Sequence, residues 1–214
     1  MFRTISIIAL VVTFSGIGLH STAGSLKGER ERRKVNILKG LVYLVTLLFL
    51  EQRLSLLGKL KKLAYLLALL CFLVLAVTGF YPALVLGRRI CGYLLMLHVT
   101  FGGVFAVCLV FLALTWAYRY RFTAEDWPWL RNVIGRQPRG KFLPEGCEAA
   151  RKTAFWLIVL GALPLMLSVV LSMSVLFGTA GQHLCADTHR YSALGFALAA
   201  VVHTYLTVRG EASR

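Results

Sequence analysis

The chain has 214 residues, 58% of them hydrophobic and 15% charged, and its mean hydropathy is +0.73. An average soluble domain carries about 25% charge, so this composition excludes an ordinary water-soluble enzyme, and the apolar excess excludes intrinsic disorder. The five cysteines show no framework spacing, which excludes a disulfide-stapled miniature domain.

Residues 1–24 form a hydrophobic anchor or signal segment. Ile5 to Leu19 is apolar, stands behind Arg3 and is followed by His20-Ser-Thr-Ala-Gly-Ser25. Cleavage near Ala23 or Gly24 would make it a signal peptide. It would also leave the basic cluster 27–34 outside, against the charge rule, so an uncleaved anchor with its N-terminus outside is preferred. Residues 25–59 read as a basic cytoplasmic segment. Within it, Leu38-Lys-Gly-Leu-Val-Tyr-Leu-Val-Thr-Leu-Leu-Phe49 weakly echoes Leu60-Lys-Lys-Leu-Ala-Tyr-Leu-Leu-Ala-Leu-Leu-Cys-Phe72. Glu51 and Arg53 cut the first copy short. It is expected to lie in the interface as an amphipathic helix, with a short or re-entrant span as the alternative.

Four uncharged runs follow: Leu63 to Gly87, Ile90 to Ala117, Thr153 to Gly181 and Tyr191 to Val208. A bilayer core needs about 20 apolar residues in helical form, and a helix satisfies its own backbone in lipid. Helices are therefore expected near 62–81, 91–117, 153–177 and 189–207. No dyad alternation suggests a β-barrel. The expected fold is all-α: an integral membrane four-helix bundle over residues 60–208, with an extra N-terminal hydrophobic helix, an interfacial helix and a short cytoplasmic tail at 209–214.

The 24 basic and 9 acidic residues give a net charge of +15. Nucleic acid is not the expected partner, because the basic residues lie between apolar runs. Ten fall in 27–62 and eight in 119–152, whereas the connectors 82–90 and 178–190 carry only Arg88, Arg89 and Arg190. The positive-inside rule then places both ends of the four-helix body and the 119–152 loop of this multi-pass protein in the cytoplasm. Trp127-Pro-Trp129 and Arg136-Gln-Pro-Arg139 suit that loop to anionic headgroups of the membrane lipid, or to a cytoplasmic partner.

Ionisable residues inside a membrane are costly and are functional candidates by default. His98 lies about seven residues into its run from the outer end, and His189 opens the last run from the same side. His203 follows His189 by fourteen positions, roughly 21 Å along a helix and within about 40° of the same face. Three readings are open for these histidines. They could hydrogen-bond neighbouring helices, serve a proton relay, or ligate haem b iron from two helices. A relay usually recruits carboxylates, and the four spans hold none. Small residues near His98 (Gly102, Gly103, Ala106) and near His189 (Ala193, Gly195, Ala197) leave room for a flat macrocycle. Arg88, Arg89 and Arg190 stand where propionates would want cations.

The stretches Leu75-Ala-Val-Thr-Gly79, Gly92-Tyr-Leu-Leu-Met-Leu-His98-Val-Thr-Phe-Gly-Gly103 and His189-Arg-Tyr-Ser-Ala-Leu-Gly195 through His203-Thr-Tyr carry a family resemblance. Over residues 60–208 the chain resembles the four-helix, di-haem cytochrome b subunits of membrane formate dehydrogenases, bacterial cytochrome b561 and hydrogenase cytochrome b. The resemblance implies that His98 and His189 hold an outer haem b and that His203 is one ligand of an inner one. It also implies a bacterial inner-membrane subunit that passes electrons between a periplasmic or membrane redox partner and quinone, without catalysing a reaction of its own.

The sequence departs from that family at helix I. The histidine expected about thirteen positions before Thr78 is replaced by Tyr65, and no histidine occurs between His20 and His98. One haem is therefore expected and a second is doubtful. Tyr65 is expected to hydrogen-bond, although a tyrosine oxygen can ligate haem iron. His203 could instead hydrogen-bond a quinone. The alternative function is a haem-free membrane scaffold or transport-related protein that keeps the fold after losing ligands. Cys71 and Cys108 are expected to pack as small hydrophobes. Cys91 and Cys185 could form a disulfide, and Pro164 is expected to kink its helix.

Overall fold

A computed structural model of the chain describes residues 1–23, 56–134, 145–174 and 178–212, and the proposed interfacial helix at 36–50 lies outside that set. The described residues are all-helical. In chain order they form α1 (Phe2–Ala23), α2 (Leu56–Phe80), a π-helical turn (Tyr81–Leu86), α3 (Gly92–Trp116), a 3-10 turn (Ala124–Asp126), α4 (Trp127–Ile134), α5 (Glu145–Ser172) and α6 (Thr179–Ala212). Phe2–Leu19, Leu56–Leu86, Gly92–Trp116 and Glu148–Ser172 are long and apolar enough to cross a membrane.

That set differs from the expected four. The N-terminal helix qualifies, whereas α6 is long but more polar, with Gln182, His183, Asp187, His189 and Arg190 in its first half. The connector expected at 178–190 is largely helix from Thr179, and helix three begins at Glu145 rather than Thr153. Hydropathy marks where charge stops, but a helix continues past that point while its backbone bonds can still form. Asp187 thus sits on a helix, one turn before Arg190, whose Nη1 is 3.4 Å from its carboxylate.

The helices group into two compact units. In the first, α2 and α3 form a hairpin, with residues 1–11 of α1 assigned to the same unit. Ala64, Ala68, Cys71 and Thr78 are the buried positions of α2, spaced four, three and seven apart along one stripe. Small side chains let helix backbones approach closely, which suits a membrane setting where Leu gains nothing over lipid. From α3 come the buried Phe105, Cys108 and Leu112, at three and four residue steps. Leu63, Leu70, Leu73 and Val77 point outward, as lipid-facing residues do. Cys71 is wholly buried and Cys108 nearly so, as expected for packing residues. The hairpin turns where Gly87 and Gly92 adopt positive φ (62° and 59°), a conformation that glycine takes without a Cβ clash.

The second unit is built on a hairpin of α5 and α6. Helix α5 runs through Pro164 without a break. Ala149, Ala154, Phe155 and Ala162 of α5 and Leu194, Phe196 and Ala197 of α6 are buried. The 3-10 turn and α4 pack against α5. One oxygen of Asp126 ties them there. Its Oδ2 accepts from the Thr123 backbone N–H (2.7 Å), the Thr123 hydroxyl (3.0 Å) and the Lys152 ammonium (2.8 Å). Burial pushes the Asp126 carboxyl up, but the donors from Lys152 and Thr123 outweigh it and hold the group below its ordinary range.

Candidate functional site

His98 stands on α3 two turns from the α2–α3 connection, and Thr78 lies opposite it, near the end of α2. Thr78 Oγ1 is 2.7 Å from the Val74 carbonyl and 2.8 Å from His98 Nδ1. A threonine hydroxyl has one proton, and a carbonyl can only accept, so that proton belongs to Val74. The oxygen must therefore accept from His98, which puts the ring proton of the neutral imidazole on Nδ1 and the lone pair on Nε2. Gly79 completes the contact. A Cβ there would stand 3.2 Å from His98 Cε1.

The second hairpin repeats the device. Ser168, four residues from the end of α5, donates its hydroxyl proton to the Leu165 carbonyl at 2.8 Å. His189 Nδ1 on α6 is 3.3 Å from that carbonyl and 3.5 Å from Ser168 Oγ. A carbonyl requires a donor, so Nδ1 again carries the proton and Nε2 the lone pair. The sequence separations match closely, 20 residues for Thr78–His98 and 21 for Ser168–His189. Both histidines are half-buried.

His203 differs. It is half-buried near the open end of the α5–α6 hairpin, beside the rings of Tyr120 (5.7 Å) and Phe155 (6.4 Å). Those two rings stack at 4.3 Å, and Trp156 Nε1 donates to the Tyr120 carbonyl at 2.9 Å. The Nδ1 of His203 is buried and meets no hydrogen-bond partner among the described residues. The ring is nonetheless within reach of the Arg151 backbone on α5. Tyr65 packs its ring on Trp116 at 5.7 Å.

The remaining expected site residues scatter. Gly102 lies one turn beyond His98, where a Cβ would meet only Leu75 at 3.9 Å. Gly195 is exposed and, with Ala154, Gly161, Ser192 and Ala199, lines an apolar groove of about 410 Å³ between α5 and α6. At 100° per residue it lies roughly 120° around α6 from His189, so it opens a different face from the one the imidazole occupies. Arg190 is engaged with Asp187. Cys91 and Cys185 are free thiols, the first exposed and the second half-buried. No cluster of three His, Cys, Asp or Glu side chains occurs among the described residues.

Sequence reasoning found the histidines and missed their hydroxyl partners. Thr78 entered only as part of a Thr-Gly ending, and Ser168 did not enter at all. The available signal was a lone hydroxyl residue on an apolar helix, one hairpin length before each histidine. Compared with known proteins, the chain matches no family model, no curated protein and no solved structure.

Proposed function

We propose that this protein is a haem b-binding electron-transfer subunit of a bacterial inner membrane, in which His98 and His189 would be the haem-holding side chains. The observation that carries the reading is the shared proton placement. In each hairpin an oxygen on one helix takes the Nδ1–H of the imidazole on the other, leaving Nε2 as the donor nitrogen. Metal-bound histidines characteristically give their second ring nitrogen to such an oxygen, which fixes the tautomer and raises ligand basicity. A histidine serving only to join two helices has no need for the same nitrogen to be committed in both hairpins. Haem b held by two imidazoles supplies one-electron transfer and has no open coordination position.

His203 is assigned to the quinone end of this pathway. Its buried Nδ1 and the flanking rings of Tyr120 and Phe155 suit a carbonyl-bearing aromatic headgroup. The redox partner is a periplasmic or membrane protein.

The test is a dithionite-reduced minus oxidised spectrum of the detergent-purified chain, with haem quantified per chain. A b-type signal that disappears in both His98→Ala and His189→Ala supports the reading. A chain that takes up no haem when haem is plentiful overturns it and leaves a helical membrane scaffold. Unchanged quinone turnover in His203→Ala would remove His203 from the quinone end.

A further inference from the structure

We propose that Thr78 and Gly79 are a positioning pair for His98, setting which ring nitrogen holds the proton and where the ring plane lies, and that Ser168 does the same less stringently for His189. The inference rests on the haem reading for its purpose, but the proton placement itself does not depend on haem.

The argument begins with Thr78. Its hydroxyl is not a free rotor, because the proton is committed to Val74 at 2.7 Å. The oxygen is left as an acceptor only, 2.8 Å from Nδ1. Valine has nearly the same shape and no oxygen, so Thr78→Val removes the acceptor without opening a cavity. An imidazole that loses this acceptor no longer has a reason to hold its proton on Nδ1. Serine keeps the oxygen and the back-bond to the helix, so Thr78→Ser should preserve the arrangement.

Gly79 acts by shape. Heavy atoms of carbon meet comfortably at about 3.5–4.0 Å, and a methyl group at Gly79 would stand 3.2 Å from Cε1. Cε1 lies between the two ring nitrogens, so a push there displaces both Nδ1 from Thr78 and Nε2 from its own target. Thr78 and Gly79 are adjacent, so one end of α2 both holds the ring and gives it room. On the other hairpin the contacts are longer, 3.3 and 3.5 Å, and are shared between a carbonyl and a hydroxyl. Removing Ser168 Oγ leaves the Leu165 carbonyl in place. The contact at His98 is thus the shorter one, to a single hydroxyl oxygen, and those at His189 are longer and divided.

Two measurements on the full chain test this. The first uses chain produced under haem depletion, labelled with ¹⁵N-histidine and reconstituted in lipid, with His98→Gln to assign the His98 resonances. The wild type should show a protonated Nδ1 and a bare Nε2. Thr78→Val should move the proton toward Nε2, Thr78→Ser should keep the wild-type pattern, and Ser168→Ala should leave His189 largely unchanged. The second is a redox titration of chain carrying haem. Loss of the Nδ1–H acceptor makes the ring a weaker donor, so Thr78→Val should raise the midpoint potential. Gly79→Ala should lower the haem content per chain, and Ser168→Ala should shift the potential less than Thr78→Val.

An unchanged His98 tautomer in Thr78→Val overturns the proposal, as does a potential that fails to move while haem remains bound. A tautomer that shifts as expected in a chain that never binds haem leaves the positioning pair standing and overturns the proposed function instead.

Discussion

Thr78 and His98 meet at 2.8 Å, hydroxyl oxygen to Nδ1, and the same hydroxyl is back-bonded to Val74 at 2.7 Å. The two distances together say more than either alone. One proton cannot serve both contacts, so the direction of the second bond follows from the first. Ser168 and His189 show the same order of events on the other hairpin, with Leu165 in the place of Val74. A helix-packing histidine would be satisfied by any partner at either nitrogen. Both histidines thus give Nδ1 to an oxygen about one hairpin length earlier, which leaves the lone pair on Nε2 in each.

The hydroxyl at Thr78 has an energetic consequence of its own. Thr78→Val takes away the hydroxyl partner of a half-buried Nδ1, whichever nitrogen then holds the proton, and an unmade buried hydrogen bond costs about 1–3 kcal/mol. Thermal unfolding in detergent should show that loss for Thr78→Val and little change for Thr78→Ser. Equal midpoints for the wild type and both variants would mean that the contact carries no stability.

Gly79 and Gly195 should respond in opposite directions to the same substitution. A Cβ at Gly195 meets nothing within 4 Å. Alanine is favoured over glycine in a helix interior by about 0.5–1 kcal/mol, so Gly195→Ala should be neutral to stabilising and leave any haem signal intact. Gly79→Ala should lose haem or stability because His98 blocks the new methyl group. A loss at Gly195 instead would place the cofactor on the groove face.

Asp126→Asn should destabilise the second unit. Both side chains of the Lys152–Asp126 pair are under 10% exposed, at 9% and 8%. Breaking a buried pair typically costs 3–5 kcal/mol because the surviving charge is stranded; a value of about 3 is expected here. The low end applies because Glu148, 3.9 Å from the Lys152 ammonium, offers a partial substitute. Unfolding midpoints of Asp126→Asn against Asp126→Asn/Lys152→Met check it, since the double variant strands no charge and should recover much of the loss.

The same carboxylate makes stability depend on acid. Its folded-state value is held below the ordinary one, so the unfolded chain binds the proton more readily. The stabilisation is complete above about pH 4 and is lost as pH falls further through the folded value. Unfolding of the wild type should therefore become easier in that acid window, and Asp126→Asn should lose this part of the pH dependence. Parallel profiles for the two chains would show that Asp126 is not the group responsible.

The thiols should separate by accessibility. Cys91 is exposed, while Cys71 and Cys108 are buried. A membrane-impermeant maleimide should label Cys91 in the folded chain and reach Cys71 and Cys108 only after denaturation. Labelling of Cys91 from the periplasmic side of intact cells would also support the orientation read from the basic loops. Labelling only after the cytoplasmic face is exposed would invert it.

Membrane character, helical class and the candidate histidines all follow from local features of the chain. Uncharged runs, basic connectors and the fourteen-residue spacing on the last helix need no knowledge of what packs on what. Helix limits were harder. By its polarity 178–190 reads as a connector, although a helix tolerates Gln182 and Asp187 where its backbone bonds are already made. The pairing of Asp126 with Lys152, 26 residues apart, required α5 to return beside the 3-10 turn.

Proton placement on the histidines depended wholly on tertiary contact. An imidazole is the same residue in either tautomer, and its choice is made by whichever oxygen lies within hydrogen-bond reach. For His98 that oxygen belongs to a residue on another helix, and that residue's own proton is governed by a carbonyl four positions earlier. Hydropathy and spacing act along one helix and therefore name the histidines. Which nitrogen each one presents is set between helices, once the hairpin has closed.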